Sequence, residues 1–234
     1  LPLTPVQTQM FKLMTKSLNI PHFLYTSSAD MSAITATRKR LNNAAATNPT
    51  GKLTPLPFII KATSLALRKH PLLNSALDTT SDPAKPSLTY RSAHNFGVAV
   101  DTPSGLLVPV LRNVQDLSIA QIAAQLRDLS SRARAGKLSP GDFAGATFTL
   151  SNIGSVGGGV VAPIISEPQV AILGVGRSRV VPAFDANDEV VKREELVLSW
   201  SADHRVVDGA ECARCAEVVT GLLEEPMGML VEMR

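Results

Sequence analysis

An apolar run that leads into a histidine and an aspartate constrains this chain more than any other feature. Leu196 to Trp200 has the length and composition of a buried strand, and Ser201-Ala-Asp-His204-Arg-Val-Val-Asp208-Gly-Ala210 follows directly. This order predicts an imidazole at the mouth of a strand with a carboxylate four residues later, an arrangement that suits a general base. The same spacing also fits an exposed loop histidine followed by a helix-capping aspartate.

A second segment runs from a predicted strand into a glycine-rich loop: Ala146-Thr-Phe-Thr-Leu-Ser151-Asn152-Ile-Gly154-Ser155-Val-Gly157-Gly-Gly159. A P-loop is excluded because no Lys-Ser or Lys-Thr pair follows the glycines. The GxSxG spacing of a serine-hydrolase elbow is also missing around Ser155. From the residues alone, a purely structural loop is therefore the default interpretation.

Together, these segments resemble motifs of the dihydrolipoamide acyltransferases, the core enzymes of 2-oxo acid dehydrogenase complexes. The stretch from Trp200 to Ala210 resembles the family's HRxxDG signature, of which chloramphenicol acetyltransferases carry a looser relative. The Ser151 segment resembles the TFT-(I/L/V)-(S/T)-N motif, and Ile20-Pro-His-Phe23 resembles the family's IPHF entry into its first long strand. The resemblance covers essentially all 234 residues and is strongest for the branched-chain subgroup.

The resemblance implies an α/β fold like that of chloramphenicol acetyltransferase, with a mixed sheet flanked by helices. Residues 1–234 would form a single catalytic domain, with lipoyl and partner-binding domains absent from this chain. The residues independently predict helices first and then mixed strands and helices, which favours a layered α/β architecture.

Local signals predict the individual elements. The predicted helices start at the Thr4–Gln7 capping box, after Asp30, after Pro55, at the Ser118–Gln121 capping box and at Gly209; the second is ended by the 47–51 cluster, the third before His70 and the fourth at Gly136. The predicted strands are 88–92, 96–102, 106–111, 146–150, 170–173, 190–191 and 196–200.

The resemblance also assigns roles to residues of the predicted site. His204 would deprotonate the coenzyme A thiol, Ser151 would donate a hydrogen bond to the tetrahedral oxyanion, and Asp208 would fix the surrounding loop. The coenzyme A contacts would be Arg38, Thr54, Asp101, Ser130, Ser151, Asn152, Ser155, Gly176 and Ser178. Small polar groups suit pantetheine amides, and Gly176 permits close backbone approach.

Two charged features have alternative interpretations. For Arg38-Lys-Arg40, a solvated charge run is the usual explanation. A fork-shaped guanidinium is also well matched to the phosphates of coenzyme A, and the resemblance implies that contact for Arg38. Many acetyl- and succinyl-transferring members of the family carry an arginine near Gln7, where it can balance the motif aspartate. Gln7 cannot supply that charge, which agrees with the branched-chain subgroup, although the capping box also explains this glutamine.

For assembly, the resemblance implies a homotrimer packed into a cubic 24-mer, with each active-site channel between two subunits. His204 would come from one chain and Ser151 from its neighbour, and the apolar run from Met227 to Val231 would dock into an adjacent trimer. Coenzyme A would be a substrate, lipoamide would be carried on a separate domain, and no metal is expected. A decarboxylating dehydrogenase and dihydrolipoamide dehydrogenase would bind through the absent domains.

The remaining expectations concern compartment, specificity and class. The implied compartment is the mitochondrial matrix, with the bacterial cytoplasm as the alternative. Alternative functions are an acetyl- or succinyl-specific member of the family, an acyltransferase acting on an antibiotic hydroxyl, and a non-catalytic structural core.

Composition argues against several other classes of protein. A net charge of +3 and 4% aromatic residues are poor support for nucleic-acid binding, and no apolar run approaches the ~20 residues that cross a bilayer. Cys212 and Cys215 lack a second cysteine pair, which favours buried apolar thiols over a zinc site and indicates a reducing compartment. His22, His70 and His94 are expected to be structural or surface residues.

Overall fold

The computed structural model describes residues 1–44 and 51–232. Helices and strands follow in this order: α1 (Pro5–Ser17), β1 (His22–Asp30), α2 (Ser32–Asn43), α3 (Leu56–Lys69), β2 (Ser75–Asp78), β3 (Ser87–Tyr90), β4 (Phe96–Val98), β5 (Val100–Thr102), β6 (Gly105–Leu107), β7 (Val110–Leu111), α4 (Ile119–Arg134), β8 (Phe148–Asn152), β9 (Ala171–Val175), β10 (Arg179–Phe184), β11 (Val190–Asp203), α5 (Gly209–Glu224) and α6 (Gly228–Glu232).

The main sheet is built around β11. Its seven strands are ordered β1-β11-β9-β8-β4-β7, and β10 pairs with the first part of β11. β1, β9 and β10 all run antiparallel to β11, whereas β9, β8 and β4 run parallel to one another. The sheet is therefore mixed, as predicted.

Three aromatic side chains connect β11, β8 and β4 in the core. Trp200 of β11, Phe148 of β8 and Phe96 of β4 are fully buried, and their ring centroids are 6.1 Å and 5.4 Å apart in that order. Tilted pairs of this kind are favourable beyond the area that they bury. α3 and α5 pack against each other, and α5 also packs against β1. The predicted α/β architecture is thus confirmed.

The strands predicted at 96–102 and 106–111 are wrong in extent, because each is split in two. β4 and β7 belong to the main sheet, whereas β5 and β6 form a separate two-stranded ribbon. The chain leaves the sheet after Ala99, whose N–H donates to the Leu150 carbonyl, and returns at Pro109, whose carbonyl accepts from Val98. Pro109 has no N–H to donate, so the hydrogen-bond ladder between β4 and β7 is interrupted at this residue.

The strands predicted at 190–191 and 196–200 are the two ends of one 14-residue strand, β11. The intervening polar residues hide this continuity, because the hairpin formed by β10 and the first part of β11 is exposed on both faces. β2 and β10 lie outside all predicted strands. The strand predicted at 88–92 is observed as β3, one residue earlier and shorter.

Most predicted helix ends are confirmed. Both capping boxes are present, at Thr4 with Gln7 and at Ser118 with Gln121. Gly136 follows α4 with a positive φ of 65°, a conformation that suits glycine. Asp30 is wrong as the helix cap: it ends β1 and the cap of α2 is Met31, although the Asp30 carboxylate does accept from the Ser32 N–H. The predicted 47–51 breaker lies mostly outside the described residues.

The apolar side of α1 is left uncovered by the described part of its own chain. Met10, Phe11 and Leu13 are all exposed, and the helix contacts only β6 appreciably among the elements that the structure describes. Burying such side chains is worth about 1.5–3 kcal/mol each. An uncovered face of this size is typical of a surface that meets another chain.

Cys212 and Cys215 are buried and free on the inner side of α5, as predicted. Burial raises the pKa of the Cys212 thiol to about 12 and raises the pKa of Cys215 further, so both are protonated and unreactive.

None of the described helices has the length and apolar character to span a bilayer.

Lys61 brings a charged group into the core between α3 and the segment before α4. Its side chain is only 3% exposed, and its ammonium donates to the carbonyls of Val114, Gln115 and Leu117 at 3.4, 3.1 and 2.7 Å. Burial lowers the pKa of this lysine. The three carbonyls offset the cost of desolvating the charge, so the contact pins this segment to α3.

We expect Lys61→Ala to lower the free energy of unfolding by about 3 kcal/mol, because it leaves buried carbonyls without a donor. Lys69→Ala provides the control: Lys69 also lies on α3, but its pair with Glu232 is exposed and should contribute much less to stability. Urea unfolding at one protein concentration measures both. Equal losses for the two variants would contradict a structural role for the buried ammonium.

Candidate active site

His204 lies one residue beyond the end of β11, where the sequence predicts it. Its backbone N–H donates to the carbonyl of Pro21, 3.0 Å away, directly before the neighbouring strand β1. Its ring lies beside that of Phe23, with 4.9 Å between centroids and 58° between planes. The residue is otherwise exposed. The imidazole is therefore fixed through its backbone and one flank and stays accessible to a substrate.

Phe23 occupies its place because residue 209 is a glycine. A Cβ on Gly209 would lie 3.0 Å from Cζ of Phe23, closer than side chains normally approach. The phenyl ring therefore fills the space between the first residue of α5 and the imidazole of His204. The glycine of the signature thus has a packing role in addition to beginning the helix.

An ion pair between Asp203 and Arg205 links the residues on either side of His204. Asp203 is 1% exposed, and Arg205 donates to its carboxylate through Nε at 2.9 Å and Nη2 at 2.6 Å. The Arg205 N–H also donates to the same carboxylate at 3.1 Å. These hydrogen bonds raise the pKa of Arg205, and paired donors of this kind fix geometry strongly. The residues on both sides of His204 are thus held to each other.

Asp208 caps α5. Its carboxylate accepts from the Glu211 N–H at 2.7 Å, and among the described residues it has no hydrogen bond to His204. The helix-capping interpretation left open by the spacing is therefore the one observed. An influence of Asp208 on His204 through the connecting turn stays a prediction.

Ser151 and His204 of one chain lie at opposite edges of the sheet. β8 and β9 are parallel, with Ser151 beside Gly174, and β11 returns antiparallel, with Ser199 beside Gly174. His204 is five residues beyond Ser199, so it lies about 16 Å further along the strand direction and about two strand spacings of 4.8 Å across. The two side chains cannot meet within one chain.

Several predicted coenzyme A residues lie at the Ser151 edge. Because β4, β8 and β9 are parallel, the segments that follow them leave the sheet on the same side. The residues in this group are Asp101, Ser151, Asn152, Ser155, Gly176 and Ser178. The Ser178 hydroxyl donates to the Glu194 carboxylate at 2.9 Å, so it already has one partner within the chain.

The absence of a side chain at Gly176 lets another segment of the same chain pack against it. A Cβ there would collide with the carbonyl of Gly159, and a Cβ on Gly154 would collide with the carbonyl of Gly176. The close backbone approach expected at Gly176 therefore exists, but the approaching backbone is the glycine-rich loop. This loop is held against the end of β9.

Arg38 lies half-buried on α2, and its Nε is buried without a hydrogen-bond partner among the described residues. An unpaired buried guanidinium N–H is costly and calls for an acceptor.

Thr54 is exposed just before α3, in a segment tied to α2 by reciprocal hydrogen bonds between Asn42 and Leu53 at 2.8 and 3.0 Å. Ser130 lies half-buried on α4, which contacts the β5 strand of Asp101.

The other histidines have structural partners, as expected. His22 bonds the Ile20 carbonyl through Nδ1 at 2.8 Å and the Ile165 N–H through Nε2 at 3.0 Å. His70 pairs with Glu211 at 2.9 Å. His94 is bonded to Ser64 at 2.8 Å, and burial with nearby Arg68 and Lys61 lowers its pKa to about 4.

Phe23 and the Asp203–Arg205 pair belong to the site but are missing from the residues predicted for it. A sequence signal exists for the ion pair, because Asp203 and Arg205 flank His204 directly. Phe23 belongs to the Ile20–Phe23 segment that resembles a family motif, but nothing in the sequence links it to His204, since that contact depends on the pairing of β1 with β11.

Comparison with known proteins identifies the family. The family model for the 2-oxoacid dehydrogenases acyltransferase (catalytic domain) matches residues 1–231. The mouse lipoamide acyltransferase component of the mitochondrial branched-chain alpha-keto acid dehydrogenase complex is 40% identical over 233 residues, which is 100% of this chain and 47% of the mouse protein. The chain thus spans about half the length of this relative.

Solved structures agree on the fold. Dihydrolipoamide acetyltransferase of Azotobacter vinelandii superposes with a TM-score of 0.91 at 36% identity, covering 98% of this chain and 93% of that one; a serine, a histidine and an asparagine were investigated in its catalytic mechanism. The cubic core of a pyruvate dehydrogenase multienzyme complex gives 0.90 at 38% identity, with 98% and 93% covered.

Chloramphenicol acetyltransferase, at 12% identity and a TM-score of 0.55 over 91% of this chain and 94% of that one, shares the fold alone. The fold and the full-length match lead to one assignment: this chain belongs to the family of 2-oxoacid dehydrogenase acyltransferase catalytic domains.

Proposed function

We propose that the chain transfers an acyl group between dihydrolipoamide and coenzyme A. The observation that carries this proposal is the placement of His204: an accessible imidazole, fixed by Pro21, Phe23 and the flanking ion pair, in a member of an acyltransferase family. No covalent intermediate with the protein is needed, because both substrates are thiols or thioesters.

In the proposed reaction, His204 takes the proton of the coenzyme A thiol as the sulfur attacks the thioester carbonyl of acyl-dihydrolipoamide. A thiol normally holds its proton about 2 pH units more tightly than an imidazole, so the transfer costs only about 2.7 kcal/mol. The new carbon–sulfur bond gives a tetrahedral oxyanion, to which the Ser151 hydroxyl donates. The bond to the lipoamide sulfur then breaks, and that sulfur receives the proton from His204.

The separation of the two edges supports a site shared between subunits. Since Ser151 and His204 of one chain are far apart, a working pair requires the Ser151 edge of one chain to meet the His204 edge of another. A head-to-tail contact gives a ring when its rotation closes, and we propose that it closes here as the homotrimer implied by the resemblance.

Uncovered apolar surface supports further assembly. α1 exposes Met10 and Phe11, and the C-terminal segment exposes Met227, Leu230 and Val231. Within that segment Met229 is buried against its own chain, so the tail is anchored while its other apolar side chains face outward. We propose that these side chains contact neighbouring trimers in a cubic 24-mer like the core seen in the structural relative.

The orphaned Nε of Arg38 supports a coenzyme A site on the Ser151 side. An arginine Nε that has no acceptor among the described residues fits a phosphate oxygen. Asp101, Asn152, Ser155 and Ser178 supply polar groups at the Ser151 edge, and Thr54 and Ser130 complete the proposed set of contacts. The chemistry of these residues fits coenzyme A as a substrate. A resident metal plays no part in the proposed reaction.

A branched-chain acyl group is the proposed cargo, because the mouse relative belongs to a branched-chain complex. Lipoamide would arrive on a separate domain, and the decarboxylating dehydrogenase and dihydrolipoamide dehydrogenase would be partners through domains outside this chain. The compartment proposed with them is the mitochondrial matrix, with the bacterial cytoplasm as the alternative because the Azotobacter relative is bacterial.

His204→Ala should abolish transfer from isobutyryl-coenzyme A to free dihydrolipoamide while leaving assembly unchanged. Ser151→Ala should lower kcat by about 100- to 1,000-fold with little change in KM for coenzyme A, as for the loss of one oxyanion donor. Steady-state rates together with sedimentation measure both. Near-normal turnover by an assembled His204→Ala protein would overturn the mechanism. An assembled wild type without any transfer activity would instead leave the non-catalytic core as the better description.

Mixing the two inactive variants tests the shared site. If His204→Ala and Ser151→Ala chains co-assemble at equal ratio, about one quarter of the interfaces should combine an intact histidine with an intact serine. Activity of the whole mixture should therefore return to about a quarter of the wild-type level, because each mixed trimer has one such interface in three. Verified mixing of subunits without recovery of activity would exclude a site built from these two edges.

Arg38→Ala should weaken coenzyme A binding by about 10-fold or more, as expected for loss of a hydrogen bond to a charged group. Binding of dephospho-coenzyme A should weaken less if the guanidinium meets the 3′-phosphate. Arg40→Ala is the matched control, because Arg40 is exposed on the same helix. Calorimetric titration with both ligands decides: equal losses for both would assign Arg38 to the diphosphate or to structure.

A further inference from the structure

The wall beside His204 is apolar, and this bears on which acyl groups the site accepts. Phe23 is half-buried and lies in ring contact with the imidazole at 4.9 Å between centroids. The other groups that fix His204 are a backbone carbonyl and an ion pair. Phe23 therefore offers an apolar surface next to the proposed base.

The position of this ring is set by two independent contacts. On β1, Phe23 is paired with Ala202 of β11, two residues before His204. At its far end, the ring reaches Gly209, where even a Cβ would be too close. The ring cannot move toward α5, so its location relative to His204 is fixed.

Geometry of the proposed reaction brings the acyl group near this ring. A base must be within hydrogen-bond distance of the thiol, about 3 Å, and the attacked carbonyl carbon lies about 3–3.5 Å from the sulfur in a reactive complex. The first carbons of the acyl chain therefore lie within about 7 Å of the imidazole, a distance that the adjoining phenyl ring can also reach.

We propose that Phe23 is a specificity-determining residue: its ring forms one wall of the acyl subsite and limits the size of the acyl group. The inference rests on the proposed function, because it takes His204 as the base. It adds a residue of β1 to a site otherwise built from β11 and the Ser151 edge. The Phe23 ring would contact compact aliphatic acyl groups favourably. The same ring would exclude longer acyl groups by its size.

A series of acyl-coenzyme A donors tests this proposal with the assembled protein and free dihydrolipoamide. Phe23→Ala should raise kcat/KM for hexanoyl relative to acetyl by about tenfold or more, since one methylene in an apolar pocket already changes specificity by 10- to 200-fold. Phe23→Leu should shift the same ratio in the same direction by a smaller factor. Thermal unfolding verifies that each variant is folded, and Phe23→Leu carries the test if Phe23→Ala is not.

Tyr25→Leu is the matched control. Tyr25 lies two residues along β1 on the same face and packs against the core, but the ring in contact with His204 is that of Phe23. Its replacement should leave the ratio of hexanoyl to acetyl unchanged. If Phe23→Leu lowers kcat/KM by the same factor for every donor, the ring merely positions His204 and the proposal is wrong. If wild type transfers no acyl group at all, the proposed function fails and this inference with it.

Discussion

The antiparallel return of β11 is the constraint on which the rest of this structure depends. The strand passes between β1 and β9 and carries Trp200 into the centre of the core. Because β9 and β8 run the other way, the histidine and the serine emerge at opposite edges. The same pairing aligns β1 so that Pro21 and Phe23 meet His204. Core stability and site geometry are therefore set by a single strand.

Rigidity at the histidine comes from neighbours that have no chemistry of their own. A carbonyl, a phenyl ring and a buried ion pair restrict His204 from three directions. The Asp208 cap and the missing Cβ of Gly209 fix the start of α5 just behind it. A base held in this way loses little conformational entropy when the substrate arrives, which is how preorganised sites favour the transition state.

Sequence predicted local features well and long-range ones poorly. The capping boxes at Thr4 and Ser118 depend on residues three apart, and both are confirmed. The split of 96–102 was missed because it depends on where Ala99 finds its partner across the sheet. His204 and Ser151 were found through their resemblance to family motifs, whereas the contact of Phe23 with His204 became visible only when β1 was seen paired with β11.

Separated edges also have a consequence for how such a protein is made. In the proposed mechanism, a newly synthesised chain folds with the oxyanion donor and the base at opposite edges of one sheet, so it holds no complete site of its own. Full activity then begins only when chains meet, and an unassembled chain consumes acyl thioesters slowly at most. The strand order of the sheet therefore makes transferase activity depend on correct assembly.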